Sequence, residues 1–443
     1  MRNVQLKSLA RHLGVVCETE SEITGYQVDS RRVGPGELFF ALKGEHVDGH
    51  RFLAEVAAKG GLGAVVSKGY QGPDFGLELV RVEDVLAGLQ ELARDDVAKS
   101  GALVVGITGS VGKTTTKEFI ATLLEGKFKV GKTYASYNTK LTLPITVLNR
   151  VGDEQVLVLE MGMSETGDIG RLVQIAPPDV AVLTKVALAH AAYFTNGLEE
   201  IAKGKAEIFS HPKTKTAIFY HDFLQYRELV EQIRADKLSF SLEDRSADYF
   251  LSEEGVDERG VRAYRFDPPF KQPHLLHNFL AAVAVARALK MEWDEINQQV
   301  SKLRLPKMRF EQFEKEGILF VNDAYNANPE SMRAALSSFP EPQVGGKRIA
   351  VLGSMRELGA FSRPAHEEIG HFAQKFADHL LVLGEEAKPL CEAFAEVKKP
   401  AEYFIDRKKL AARLKEIMRP GDAVLVKGSR SMEMEKILEL AGV

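Results

Sequence analysis

The residues of this chain with the clearest chemical potential lie between positions 102 and 120. This segment is predicted to form an apolar strand (ALVVGIT), a glycine-rich turn (GSVGKT) and a helix (TTKEFIATLL). Glycine lets backbone N–H groups approach phosphate oxygens closely, and the N-terminal end of a helix is electropositive. A lysine there supplies a cation for the terminal phosphates, and the next threonine supplies a hydroxyl ligand for magnesium. We therefore predict a phosphate-binding loop made of Gly109, Ser110, Val111, Gly112, Lys113, Thr114 and Thr115.

The alternative for this segment is a glycine-rich turn that happens to precede a lysine. The strand before the turn and the helix after it favour phosphate binding. The glycine spacing is unusual, because Ile107 stands where a generic phosphate-binding loop has its first glycine, and the glycines fall at 106, 109 and 112.

Two candidate metal ligands follow predicted strands. Residues 156–159 form a continuous apolar run, typical of a strand buried on both faces of a parallel sheet, and Glu160 comes directly after it. The carboxyl ends of parallel strands open onto the ligand crevice, so Glu160 is a candidate magnesium ligand. A second apolar strand, 180–183, leads to His190. This histidine is either a hydrogen-bonded polar side chain or a second metal ligand.

Other polar residues lie on, or directly after, predicted helices and strands. Lys203 and Lys205 lie on a helical segment, AKGKAEIF, where lysines usually form a solvated face. Asn278, near the start of the helix HLLHNFLAAVAVARAL, carries a donor and an acceptor that suit an adenine edge. Ser30 and Arg31 follow a strand and suit a phosphate or carboxylate, although a surface turn with a salt bridge explains them equally well.

The pattern of predicted strands and helices that position these residues indicates an α/β protein of three domains. Residues 1–83 read as a small N-terminal α/β domain, and 84–305 as a central parallel-sheet ATPase domain with a phosphate loop. Residues 213–273 within it have short strands and a charged character, which we interpret as an antiparallel extension. In residues 306–443 five strands alternate with five helices, which predicts a doubly wound, Rossmann-like sheet.

Composition limits the class of protein. The 443 residues are 27% charged with a formal net charge of −4, which gives no electrostatic footprint for nucleic acid. No stretch resembles a signal peptide or approaches the ~20 apolar residues of a membrane span. Cys17 and Cys391 are too few for a disulfide framework. We therefore expect a cytoplasmic protein with no membrane insertion.

These motifs together resemble the Mur ligases of peptidoglycan synthesis over essentially the whole chain. The resemblance rests on VDSRRVGPGELFFALKG and VDGH, on GITGSVGKTTTKE, LEMG and AKGKAEIF, and on NDAYNANPESM, VLGSMRELG and VKGSRSMEME. The displaced glycine of the phosphate loop is the form found in this family. DAYNANP with LGSMRELG points to the member that adds D-alanyl-D-alanine to UDP-N-acetylmuramoyl-tripeptide (UDP-MurNAc-tripeptide), with ATP consumed through an acyl phosphate.

The resemblance also implies roles for individual residues. Lys113, Glu160, His190 and Lys205 are implied to be catalytic, with two Mg²⁺ ions held by Thr114, Glu160, His190 and a carbamylated Lys205. Asn278 is implied to contact adenine, and Arg309 and Asp323 the ribose and phosphates of ATP. Ser30, Arg31 and Asn138 are implied to bind the UDP-linked substrate, while Asn326, Asn328 and residues 354–366 would lie near D-alanyl-D-alanine. We expect a monomer whose third domain closes on ATP.

Several positions depart from the family pattern. Thr139 and Thr142 replace an asparagine and a glycine in SYNTKLTLP, and Leu275 and Ala281 alter the helix start around Asn278. Lys185 stands where the family has asparagine.

Three rival interpretations remain open: a folylpolyglutamate-type ligase, a switch or motor ATPase, and a binding protein that has lost activity.

Overall fold

The computed structural model describes residues 4–44, 47–188 and 197–443. The helices in these ranges are α1 (Leu6–His12), α2 (Leu53–Ala58), α3 (Val85–Ser100), α4 (Lys113–Leu124), α5 (Thr142–Leu148), α6 (Asp168–Ile175), α7 (Gly197–Ala206), α8 (Arg227–Gln232), α9 (Pro273–Ala288), α10 (Trp293–Val300), α11 (Pro329–Ser337), α12 (Ser362–Ala373), α13 (Lys388–Ala395), α14 (Arg407–Ile417) and α15 (Glu435–Ala441).

The strands in the same ranges are β1 (Val4–Gln5), β2 (Glu22–Ile23), β3 (Gly25–Gln27), β4 (Glu37–Phe40), β5 (Gly63–Ser67), β6 (Glu78–Val82), β7 (Leu103–Thr108), β8 (Val130–Lys132), β9 (Val156–Glu160), β10 (Val180–Leu183), β11 (Thr216–Tyr220), β12 (Asp236–Ser241), β13 (Tyr249–Ser252), β14 (Gly255–Glu258), β15 (Val261–Tyr264), β16 (Glu311–Lys315), β17 (Ile318–Asp323), β18 (Arg348–Gly353), β19 (His379–Leu383), β20 (Ala401–Phe404) and β21 (Ala423–Lys427).

The first domain is built on a parallel sheet in the order β3-β4-β5-β6. Alternate residues of β4 enter two cores: Phe40 packs with α1 and α3, and Phe39 packs with α2. The domain is fastened to the next one by Asn149, whose side chain accepts from the Tyr26 N–H at 2.9 Å and donates to the Tyr26 carbonyl at 2.8 Å. These two bonds link the edge strand β3 to the end of α5 across the domain boundary.

The middle domain is built on a sheet in the order β15-β14-β13-β12-β11-β10-β7-β9-β8. Strand β7, which leads to the phosphate loop, is buried on both faces, with Val105 and Ile107 in the core under α4 and α9 and Val104 in the core under α3 and α6. β7 and β9 are parallel, and Ile107 is in register with Glu160. The phosphate loop after β7 and the carboxylate that ends β9 therefore emerge side by side.

The prediction of an antiparallel extension over residues 213–273 was wrong in its first half. β11 and β12 continue the parallel sheet beyond β10, because the helical segment between them returns the chain to the same edge. β13 is also parallel to β12. Only β13, β14 and β15 form the antiparallel end of the sheet.

The third domain has a sheet in the order β16-β17-β21-β18-β19-β20. The five predicted strands and five predicted helices are present, with ends shifted by a few residues, and both faces of the sheet are covered by helices. β16 is an additional antiparallel edge strand whose sequence, EQFEK, is too polar and exposed to predict. No helix in the described ranges has the length and apolar character needed to cross a membrane.

Candidate active site

The phosphate loop lies between β7 and α4 and needs its glycines for two reasons. Gly109 and Gly112 have φ values of +152° and +83°, which side chains other than glycine rarely adopt. There is also no room for a side chain, since a Cβ at Gly112 would collide with the amide of Asn278 and one at Gly109 with the hydroxyl of Thr184. The loop is thus packed against residues that follow it by a long stretch of chain.

Lys113 opens α4 and is folded back over the loop. Its Nζ donates to the carbonyl oxygen of Gly109 at 2.8 Å. Burial lowers the pKa of Lys113, and the nearby carboxylate of Glu160 opposes that effect. An anionic phosphate in this position would compensate the buried charge, as expected of a phosphate-binding lysine.

Thr114 and Glu160 form the pair that suits a magnesium ion. Thr114 Oγ1 donates to Glu160 Oε2 at 2.9 Å, and Glu160 is only 1% exposed. The other carboxylate oxygen accepts from Asn138 Nδ2 at 2.8 Å. A hydroxyl and a carboxylate oxygen at a phosphate loop are hard oxygen donors of the kind that Mg²⁺ uses together with phosphate oxygens, so the residues fit the ion.

A metal held by protein side chains alone is not seen in the described part of the chain. No group of three or more histidine, cysteine, aspartate or glutamate side chains there could hold an ion. His190, the predicted second metal ligand, lies in 189–196, outside the described residues.

The third domain reaches the phosphate loop through Arg309. Its Nη2 donates to Thr114 Oγ1 at 3.2 Å, and its guanidinium lies 3.9 Å from the ring centre of Tyr325. Asp323 is paired with Lys427, whose Nζ is 2.6 Å from Asp323 Oδ2. Lys427 was not predicted as a site residue, although its position at the end of β21, in the VKGSRS motif, could have indicated it.

Asn278 lies beside the phosphate loop, and its side-chain oxygen already accepts a hydrogen bond within the protein. Its Oδ1 accepts from Thr116 Oγ1 at 3.2 Å. Next to it, His277 Nε2 lies 3.1 Å from the carboxylate of Glu243, and the hydroxyl of Tyr220 donates to the same carboxylate at 3.1 Å. The hydrogen bond from His277 lowers the pKa of Glu243 to about 2. This polar wall was not predicted, because its members come from three separate elements.

Lys205 and Lys203 have opposite environments on α7. Lys203 is exposed, as predicted for a solvated face, whereas Lys205 is 3% exposed. Burial and the adjacent charge of Lys113 lower the pKa of Lys205 well below its usual value. Within the described residues no carboxylate lies at salt-bridge distance from Lys205, so the position favours the neutral amine.

The predicted substrate residues separate into two groups. Asn138, Asn326 and Asn328 line the central cavity described below. Ser30 is buried and donates to Glu55 at 2.9 Å, and Arg31, whose side chain is 82% exposed, pairs with Asp29 at 2.8 Å. For Asp29 and Arg31 the structure shows the surface turn with a salt bridge.

Two other side chains have positions that were not predicted from the sequence. Arg32, not Arg31, faces a cleft at the domain boundary, with its guanidinium 5.6 Å from the ring centres of Tyr134 and Tyr137. His366 is fully buried and accepts from the Met355 N–H at 2.9 Å. It therefore stabilises the backbone at the start of the loop of residues 354–366. Arg356 of that loop lines the central cavity.

The central cavity, with a volume of about 1350 Å³, joins these groups between the middle and third domains. The phosphate loop, Glu160, Lys205 and Asn278 line it from the middle domain, and Arg309, Asp323 and Lys427 from the third. A cavity of this size, lined by cations such as Lys113, Arg309 and Lys427, can hold a nucleotide and further ligands.

Comparisons with known proteins give the family. Models of the Mur ligase family, catalytic domain, of the Mur ligase middle domain and of the Mur ligase, glutamate ligase domain match residues 22–95, 107–286 and 308–430. The UDP-N-acetylmuramoyl-tripeptide–D-alanyl-D-alanine ligase of Bacillus subtilis (strain 168) is 31% identical over 95% of this chain and 93% of its own length.

Solved structures agree with the sequence comparisons. MurF from Acinetobacter baumannii superposes with a TM-score of 0.88 at 27% identity, covering 100% of both chains. MurF ligase from Thermotoga maritima in complex with ADP superposes with a TM-score of 0.79 at 34% identity, covering 94% of this chain and 96% of its own. The predicted resemblance and the three-domain α/β fold are confirmed, and the chain belongs to the Mur ligase family.

Proposed function

We propose that this chain is an ATP-dependent ligase that joins D-alanyl-D-alanine to UDP-MurNAc-tripeptide and so makes the pentapeptide precursor of peptidoglycan. Relatives that match nearly the whole chain carry this activity in their names. The observation that carries the proposal is the shared cavity, in which the phosphate loop and Glu160 face Arg309 and Asp323 of the third domain. A nucleotide in this cavity would be contacted by residues of both the middle and the third domain.

The reaction proposed for this cavity has two steps. A carboxylate oxygen of the tripeptide attacks the γ-phosphorus of ATP, and the bond to the β-phosphate oxygen breaks, which gives an acyl phosphate and ADP. The neutral amine of D-alanyl-D-alanine then attacks the acyl carbon, loses a proton and expels inorganic phosphate. The first step brings two anions together, and unit charges ~4 Å apart repel by roughly 4 kcal/mol at an effective dielectric of about 20.

The cavity contains the groups that would offset this repulsion. Lys113 supplies a cation that lies over the phosphate loop, and Arg309 supplies another beside Thr114. Thr114 and Glu160 would hold a magnesium ion, which when bound neutralises charge on the transferring phosphoryl group. Positioning and charge stabilisation account for most of catalysis in phosphoryl transfer, so these side chains are the proposed catalytic set.

A second metal position is proposed to involve His190 and a carbamylated Lys205. The support is the buried, uncharged-favouring site of Lys205, since only the neutral amine adds to CO₂. In that step a bond forms between Nζ and the carbon of CO₂ as one C=O π bond opens, the nitrogen loses one proton, and the neutral amine becomes a carbamate anion. We expect ¹³C NMR with labelled bicarbonate to show a carbamate signal in the wild type and in Lys203→Met, but not in Lys205→Met. A signal that persists in Lys205→Met would contradict the assignment.

The remaining contacts are proposed from position. Asn138 would contact the UDP-linked substrate. Ser30 and Arg31 would contact only those parts of the same substrate that extend from the cavity toward the first domain. Asn326 and Asn328 would border D-alanyl-D-alanine. We propose a cytoplasmic monomer that uses no nucleic acid partner.

The function is tested by phosphate release from ATP, measured with UDP-MurNAc-tripeptide and D-alanyl-D-alanine together, with each alone, and with neither. We expect release only with both, and its loss in Lys113→Met. Release with neither substrate would instead indicate a switch or motor ATPase. Release with a folate and glutamate would indicate a folylpolyglutamate-type ligase, and no release from folded protein would indicate a scaffold without activity.

A further inference from the structure

Lys117 is a charged residue in an unusual place. It lies on α4, one turn after Thr114, and is 0% exposed. Burying an ammonium group is unfavourable unless its N–H donors are all satisfied. A lysine kept in such a site therefore needs a structural reason.

Two of the partners of Lys117 are backbone carbonyl groups of a single loop. Its Nζ donates to the carbonyl oxygen of Thr133 at 2.7 Å and to that of Ala135 at 2.6 Å. The carboxylate of Glu118 lies 3.1 Å away and balances the charge. Lys132 pairs with the same carboxylate at 2.6 Å, but from a partly exposed position. Two of the three contacts of Lys117 thus hold the chain between residues 133 and 135.

This loop, residues 133–138, also holds Glu160 from two sides. Thr133 Oγ1 accepts from the Glu160 N–H at 2.9 Å, and Asn138 Nδ2 donates to Glu160 Oε1 at 2.8 Å. The carbonyl oxygen of Asn138 accepts from the Gly162 N–H at 2.8 Å. Ala135, between these anchors, has a φ of +45°, a conformation that a non-glycine residue keeps only when its surroundings impose it.

We propose that Lys117 is a positioning residue that fixes the orientation of the Glu160 carboxylate for the magnesium–nucleotide complex by pinning the 133–138 loop. Lys117 is fully buried and is not among the residues that line the central cavity, so it would act through the loop rather than by direct contact with nucleotide or metal. The inference rests on the proposed use of Thr114 and Glu160 as magnesium ligands. Groups that orient a metal ligand from behind change metal affinity by about 10- to 100-fold when they are removed.

The alternative role is purely structural, with Lys117 stabilising the fold without affecting the metal. Lys132→Met is the matched control, because it removes the other cation on Glu118 and leaves the loop carbonyls bound to Lys117. Manganese binding to the protein with a non-hydrolysable ATP analogue, followed by electron paramagnetic resonance, reports on the site without requiring turnover. The half-saturating Mg²⁺ concentration for phosphate release and the thermal midpoint complete the measurements.

We expect Lys117→Met to weaken manganese binding by about 10-fold or more, and to raise the half-saturating Mg²⁺ concentration to a similar extent. KM for D-alanyl-D-alanine should remain within about two-fold of the wild type, and Lys132→Met should leave metal binding unchanged. A folded Lys117→Met protein with wild-type manganese affinity would overturn the proposal, whatever its thermal midpoint.

Thr133→Val provides a second route should Lys117→Met fail to fold. It removes the hydroxyl that accepts from Glu160 and leaves Lys117 in place, so it should also weaken manganese binding. Unchanged binding in this variant would overturn the role of the loop. The inference is also overturned where the wild type binds manganese no better than Glu160→Gln. Intact manganese binding without ligase activity would overturn only the proposed function.

Discussion

The ammonium group of Lys185 lies 2.6 Å from the carboxylate of Glu330, and this ion pair joins the middle domain to the third. Lys185 follows β10, and its carbonyl oxygen accepts from the Ser110 N–H of the phosphate loop at 2.7 Å. Glu330 stands in the first turn of α11 and also pairs with Arg333. The two domains are therefore fastened directly beside the loop that would bind the nucleotide.

Replacing Lys185 with asparagine should loosen this domain contact. A partly exposed ion pair contributes about 0.5 to 1 kcal/mol, which corresponds to about a two- to five-fold change in an open–closed equilibrium. We expect a larger radius of gyration for Lys185→Asn than for the wild type in small-angle X-ray scattering. Lys68→Asn is the control, because its pair with Glu83, also at 2.6 Å, lies within the first domain. Superimposable scattering of Lys185→Asn and wild type would show that the pair does not govern domain position.

Replacing Glu160 with glutamine should remove most of the activity without unfolding the protein. The amide retains a hydrogen-bonding shape but loses the negative charge next to Thr114. Loss of one electrostatic group at a phosphoryl-transfer centre costs about 10²- to 10³-fold in kcat. Steady-state kinetics at saturating substrates would measure the decrease. Glu165→Gln, at the rim of the same cavity and paired with Arg171, should keep kcat within about two-fold; an equal loss in both variants would count against a specific role for Glu160.

The local part of the site can be predicted from sequence because its residues are adjacent in the chain. The loop glycines, Lys113 and Thr114 follow one strand, and Glu160 ends another, so strand patterns place them at one edge of a parallel sheet. The regular alternation of the third domain predicts its sheet for a similar reason, since each strand is a short apolar run buried on both faces.

The rest of the site depends on partners that are distant in sequence. Lys427 belongs to the cavity because of Asp323, 104 residues earlier. Spacing alone could not distinguish Lys203 from Lys205, since the difference is which side of α7 faces the middle-domain core. The parallel direction of β11 and β12 depends on a crossover that polar, charged sequence does not reveal.

Replacing Asn149 with alanine should weaken the contact between the first domain and the middle domain. Asn149 makes two hydrogen bonds with the backbone of Tyr26, at 2.9 and 2.8 Å, and alanine would leave both backbone groups without these partners. At about 1 to 1.5 kcal/mol for each bond, we expect a loss of about 2 to 3 kcal/mol. Urea unfolding followed by tyrosine and tryptophan fluorescence would measure it. Gln298→Ala, at an exposed site on α10, should change stability by less than about 0.5 kcal/mol, and an equally small effect of Asn149→Ala would show that other contacts hold the domains together.

His274 should make stability depend on pH at the contact between the middle and third domains. Its ring lies 5.1 Å from that of Phe310, and its Nδ1 lies 3.3 Å from the hydroxyl of Ser338. Burial lowers the pKa of His274 to about 4 from its usual 6.5; Asp323 acts in the opposite direction, while Lys427 and His277 add to the lowering.

The sign of the effect follows from where the proton binds. Between pH 6.5 and about 4 the unfolded chain takes up a proton at this histidine that the folded protein does not, so the free energy of unfolding decreases as the pH falls through that window. With allowance for the partial exposure of the ring, we expect about 1 to 2 kcal/mol of this decrease to disappear in His274→Gln. Thermal unfolding at pH 7 and pH 5 would measure the difference, with His371→Gln, at an exposed site on α12, as the control. A pH dependence that is the same in His274→Gln and in the wild type would show that this histidine is protonated equally easily in the folded and unfolded states.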